Sequence, residues 1–89
     1  MKNEKCFIIE ISKPYSDNNY REKLMQRINN CEFEVVAVCE NAIDSEKRIV
    51  QFQIGNIKAQ SNKHYEIIQE NTGLIGLTTK IQDFYNKLK

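Results

Sequence analysis

The side chains best equipped for chemistry are few and widely spaced. His64 is the one histidine, and Cys6, Cys31 and Cys39 are the three thiols. A histidine near neutral pH can act as general acid or base, and a thiolate can act as nucleophile or metal ligand. Neither role finds support in the spacing. The cysteines form no Cys-x-x-Cys pair, and one histidine beside them does not complete a four-ligand zinc set. His64 falls on an apolar stripe and the cysteines fall inside apolar patterns, where packing is their ordinary use. No nucleophile elbow, zinc-protease pair or nucleotide-phosphate loop occurs. Ser12-Lys13-Pro14-Tyr15-Ser16 has neither the Gly nor the Arg that a phosphate-cradling loop after a first strand needs, and Gly55-Asn56 offers a single glycine before a helix. No catalytic residue, cofactor site or metal site is assigned, and the chain reads as non-enzymatic.

Charge is the next source of chemistry. Thirteen Lys and Arg face twelve Asp and Glu, a formal net charge of +1. The total conceals a division. Residues 1–46 carry six basic and nine acidic side chains, whereas residues 47–89 carry seven basic and three acidic ones. Lys47, Arg48, Lys58, Lys63, Lys80, Lys87 and Lys89 are therefore the candidate contacts to a nucleic-acid backbone. They come singly, and scattered lysines ordinarily serve solubility. Base stacking by a sheet needs outward aromatics on its strands, and Lys47–Ile54 carries no such aromatic when Phe52 points inward.

The elements that position these residues follow from periodicity. Lys5–Ser12 alternates as a strand, with Phe7, Ile9 and Ile11 on one face and Cys6, Ile8 and Glu10 on the other. Ser16-Asp17-Asn18-Asn19 supplies helix caps, and Tyr20, Leu24, Ile28 and Cys31 then form a helical stripe. Glu32–Glu40 reads as a second strand. Lys47–Ile54 reads as a third, with Val50, Phe52 and Ile54 inward and Gly55 ending it. A second helix is expected from Ile57 or Ser61 to about Asn71, with Gly73 as its left-handed cap. Leu74–Thr78 suits a short fourth strand, and 79–88 a closing helix capped by Thr79.

Eighty-nine residues permit one small core, so residues 1–89 are taken as a single α+β domain. The order βαββα, followed by a short strand and a helix, is that of a split βαβ or ferredoxin-like sandwich, with both helices on one face of an antiparallel sheet. A three-stranded sheet with three helices is the competing arrangement. In the sandwich, Ile8, Val36, Val38 and Ile49 lie on the uncovered face among glutamates such as Glu34. That face is too aliphatic for solvent. The expected function is a small association module that uses Ile8, Glu34, Val36, Val38 and Ile49 to form a homodimer or bind a protein partner. Contact with nucleic acid through residues 47–89 is the alternative. Apolar runs are too short to span a bilayer and no secretory leader follows Met1, so a cytoplasmic location without membrane attachment is expected. The odd cysteine count agrees with a reducing compartment.

Overall fold

Hydrophobic alternation gives the first element as expected. β1 (Cys6–Ser12) is the central strand of a three-stranded antiparallel sheet, with β2 (Glu34–Cys39) on one side and β3 (Lys63–Gln69) on the other. Among the described residues there are three helices: α1 (Tyr20–Asn29), α2 (Ala42–Lys58) and α3 (Leu77–Lys87). The computed structural model describes residues 5–14, 18–69, 73–74 and 76–88. Tyr15, Ser16, Asp17, Asn71, Ile75 and Lys89, which entered the sequence expectations, lie outside the described residues.

The observed order is βαβαβα, so the protein is a small α+β fold of three antiparallel strands and three helices, the competing arrangement named above. The ferredoxin-like order is not matched. Residues 47–54, expected as a strand, lie inside α2, and residues 63–69, expected inside a helix, form β3. The expected strand at 74–78 is also absent among the described residues, because Leu77 and Thr78 already belong to α3 and Gly76 precedes them as N-cap. A split βαβ unit does exist. β2 and β3 both run antiparallel to β1, hence parallel to each other, and α2 carries the chain between them across the face of β1.

That crossover decides the layering. Phe7, Ile9 and Ile11 of β1 pack with Phe33, Val35, Leu24, Ile28 and Leu77, so α1 and α3 cover one face. Ile8, Ala37, Cys39 and Tyr65 form a second core, completed by Ile49 and Phe52 of α2 on the opposite face. Helices thus lie on both faces. A central strand covered on both sides needs an apolar run, and Cys6-Phe7-Ile8-Ile9 provides it: these four are at most 2% exposed.

A β-bulge explains a second departure. Ile9 pairs with Val35 but Ile8 pairs with Ala37, leaving Val36 as the extra residue of β2. The face parity of β2 flips there. Val35 joins the core under α1 and α3, while Val36 and Ala37 both belong to the α2 side. Simple alternation would have kept Phe33, Val35, Ala37 and Cys39 together.

α1 and α2 both close without glycine. Cys31 (φ 56°) and Gln60 (φ 54°) adopt the left-handed conformation. Cys31 N–H bonds Ile28 O and Glu32 N–H bonds Arg27 O; Gln60 N–H bonds Ile57 O and Ser61 N–H bonds Asn56 O. Each pair of bonds is a Schellman motif that satisfies the last carbonyls of its helix.

Candidate functional site

α2 is 17 residues long, about 25 Å. Asn41 starts it: the side-chain oxygen accepts from the Asp44 N–H at 2.9 Å, satisfying one of the first orphan donors. Ser45, fully buried, donates to Asn41 O at 3.0 Å. At roughly 100° per residue, Ser45, Ile49, Phe52 and Asn56 share the face turned to the sheet. Phe52 stacks on Tyr65 with ring centroids 5.4 Å apart and 28° between planes. The Asn56 amide donates to Lys63 O at 3.1 Å, tying the end of α2 to the start of β3.

The other side of α2 is also apolar, and nothing among the described residues covers it. Ile43, Val50, Ile54 and Ile57 are 66%, 51%, 48% and 74% exposed. They fall within roughly 60° of arc, about 150° from the buried face. Their spacing of seven, four and three is that of one heptad seam, with Lys47 at the remaining seam position. Asp44 and Lys58 flank this seam on one side at opposite ends of the helix. A surface helix normally presents charged and polar residues there.

The expected association residues do not share one open face. Ile8 is fully buried beneath α2, since the crossover covers the face expected to be bare. Val36 and Ile49 are half-buried around the same core, Ile49 as a residue of α2 itself. Val38 is half-buried on the opposite face, packed against the core under α1 and α3. Glu34 is exposed and pairs with Lys87 at 3.4 Å.

The basic residues are equally divided. Lys47, Arg48 and Lys58 lie on α2; Lys80 and Lys87 lie on α3, across the sheet. Lys63 sits 3.9 Å from Glu10, and with Lys80 it lines a concavity shared with Glu10, Glu32 and Glu34. The fold gathers no continuous basic surface from these six.

Two other places combine polar and apolar groups. His64 lies on the α1 side of β3, with Nδ1 3.3 Å from the Tyr20 hydroxyl and Nε2 2.7 Å from Glu66 Oε1. Both ring nitrogens are engaged, and the contacts join α1 to β3. Beneath α2, a cleft of about 610 Å³ is lined by Val36, Ala37, Arg48, Phe52, Asn56 and Tyr65 among others. Among the described residues, Asn56 Oδ1 is the buried side-chain polar atom without a hydrogen-bond partner. The Tyr65 hydroxyl donates to Glu10 Oε2 at 3.0 Å. Burial, reinforced by that bond and by the Glu10 charge, pushes the phenol up to about 12.

No protein-family model, curated protein or solved structure matches this chain. Among the described residues, no helix is long and apolar enough to cross a membrane, and no three His, Cys, Asp or Glu side chains gather as a metal site. The surface that stands out is the seam of α2, which the expectation of a strand at 47–54 concealed. Its signal in the sequence was the spacing of Ile43, Val50, Ile54 and Ile57.

Proposed function

We propose that this protein is a small non-enzymatic association module that binds another protein surface through the outward seam of α2. The observation that carries this reading is that four aliphatic side chains at heptad spacing remain 48–74% exposed, although Ser45, Ile49 and Phe52 already turn a separate face of α2 to the sheet. Single exposed aliphatics need no explanation. Four in register along one helix are the arrangement by which helices recognise an apolar partner.

The strength of such a contact can be bounded. Covering the exposed part of eight aliphatics, four from each partner, contributes roughly 1 kcal/mol apiece at ~25 cal/mol per Å². Association costs at least about 4 kcal/mol in lost freedom. The remainder, at most about 4 kcal/mol, corresponds to a dissociation constant on the order of 1 mM. A seam this narrow falls below the roughly 1,000 Å² of a stable interface, so the association is transient.

Photo-crosslinking tests the reading. With p-benzoylphenylalanine in place of Ile54, irradiated cells are expected to yield a crosslinked protein adduct. The same probe in place of Arg21, exposed on α1, is expected to yield none. Adding Val50→Glu to the Ile54 probe is expected to remove the adduct while the circular dichroism spectrum is kept. An absence of adducts at position 54 would exclude the α2 seam as a contact surface.

A further inference from the structure

We infer that the partner on the α2 seam is a second copy of this chain, with the two α2 helices antiparallel about a twofold axis near Gln51 and Phe52. The inference rests on the association reading above and adds the occupant and its orientation.

The charge pattern along α2 selects this arrangement. Asp44 lies in the first turn and Lys58 in the last turn, both exposed. Fourteen positions apart, they occupy the same flank of the seam, two heptads from one another. In an antiparallel pair, Asp44 of each copy lies beside Lys58 of the other, so one complementary pair forms twice. The seam residue Lys47 then opposes the aliphatic Ile57 of the other copy, while Val50 and Ile54 oppose each other. A parallel pair lacks these contacts. Lys47 would face Lys47 across the seam, while Asp44 and Lys58 would lie on opposite flanks in the two copies, Lys58 beside Gln53, and neither would meet an opposite charge. Antiparallel alignment also places the positive N-terminal end of each helix beside the negative C-terminal end of its neighbour. Isologous contact through one self-complementary patch is how most homodimers form.

Sedimentation equilibrium from about 20 µM to 1 mM at low ionic strength tests occupant and orientation together. Asp44→Lys alone and Lys58→Asp alone are each expected to weaken self-association about tenfold. An equimolar mixture of the two variants is expected to recover the wild-type constant, because every pair in the mixed dimer is again of opposite sign. A control, Lys23→Asp on α1, is expected to change nothing. Since reversing charge at a helix end can itself loosen the fold, a second measurement uses neutral substitutions on a Cys31→Ser background. Chains carrying Asp44→Cys and Lys58→Cys, mixed and treated with oxidised glutathione, are expected to form an interchain disulfide linking the two species. Neither chain alone should do so in comparable yield. A mixture as weak as the single variants, or a disulfide favouring like with like, overturns the antiparallel dimer. A chain monomeric at 1 mM whose Ile54 probe traps a different protein overturns the second-copy inference and leaves the association reading standing. The absence of both self-association and adduct overturns the two together.

Discussion

Removing a single hydroxyl tests how α2 is held to the sheet. The Tyr65 ring stacks on Phe52, and its hydroxyl donates to Glu10 Oε2 at 3.0 Å. Tyr65→Phe keeps the ring and so keeps the seat of α2, while it deletes the bond. A hydrogen bond to a carboxylate contributes about 1.5–3 kcal/mol. Glu10 is 28% exposed and lies 3.9 Å from Lys63, so water and that ammonium replace part of the loss. The expected destabilisation at neutral pH is therefore about 1 kcal/mol. Alkaline conditions give the sharper signature. Burial first, then the Glu10 bond and charge, hold the Tyr65 phenol at about 12 in the folded chain, against 10.0 ordinarily. A raised folded value means that the unfolded chain releases its proton first. The stabilisation is thus complete below pH 10 and is lost as pH rises to 12. At about 1.4 kcal/mol per unit, as much as ~3 kcal/mol disappears across that window. Urea unfolding of wild type and Tyr65→Phe at matched pH from 7 to 12 isolates the effect, because lysine titration is common to both. The wild-type advantage should vanish near pH 11, where about half of the linkage has been lost, and reverse above it. A difference that stays constant from pH 7 to 12 would refute the assignment of a buried, Glu10-bonded phenol.

Two glycine substitutions should move in opposite directions. Gly55 is helical with nothing within 4 Å of a built Cβ, so Gly55→Ala should raise stability by about 0.5–1 kcal/mol in thermal unfolding. It lies off the seam, so self-association should be unchanged. Gly76 has φ +93° and its Cβ would stand 3.1 Å from Cys31 Sγ; Gly76→Ala should cost about 1 kcal/mol or more, and a neutral result would show that this turn relaxes. Register is open to a chemical test, because Cys6 and Cys39 are directly opposed across β1 and β2. Opposed strand residues have Cα atoms about 4.5–5.5 Å apart, within disulfide range. Prolonged diamide treatment should give an intrachain product lighter by two hydrogens. That product should survive Cys31→Ser and disappear with Cys39→Ser; a crosslink through Cys31 instead would contradict the register.

The parts of the fold legible in the sequence are those with one unambiguous pattern and conventional punctuation. β1 and α1 are of this kind, and Leu24 and Ile28 are buried where the stripe of α1 placed them. β2 was located, but the bulge at Val36 cannot be read from alternation, because one extra residue leaves the residue types unchanged. The chain from 42 to 69 departs from its apparent periodicity because its punctuation is unconventional. Gly55 reads as a strand end yet sits inside α2, and the residue that ends α2 in the left-handed conformation is Gln60. In β3, Tyr65 and Ile67 face α2 while Ile68 faces α1 and α3. Apolar residues on both faces of so short a segment satisfy a helical stripe as well as a strand. What tertiary structure adds is the crossover, which turns the bare face expected around Ile8 into a second core.

The strand-like pattern within α2 and the proposed association surface have a common origin. A helix needs one apolar stripe to hold its place, and Ser45, Ile49, Phe52 and Asn56 already form the face that meets the sheet. Had residues 43, 50, 54 and 57 been polar, the segment would have shown a clean period of 3.6 and would have read as a helix. Instead Val50 and Ile54 interleave with Ile49 and Phe52, and the mixture imitates the two-residue alternation of a strand. The residues that spoil the helical pattern are therefore those that the folded chain does not use. Glu, Lys or Gln at these positions would stabilise an exposed helix at least as well as β-branched aliphatics do. The stability of the single chain gives no reason for aliphatics there, whereas burial against another helix does. On this reasoning, replacing Ile43, Val50, Ile54 and Ile57 together by Lys or Gln should leave thermal stability unchanged or raised, while self-association is lost. A quadruple variant that unfolds would instead place those side chains in the fold's own packing, and the case for an association surface would go with it.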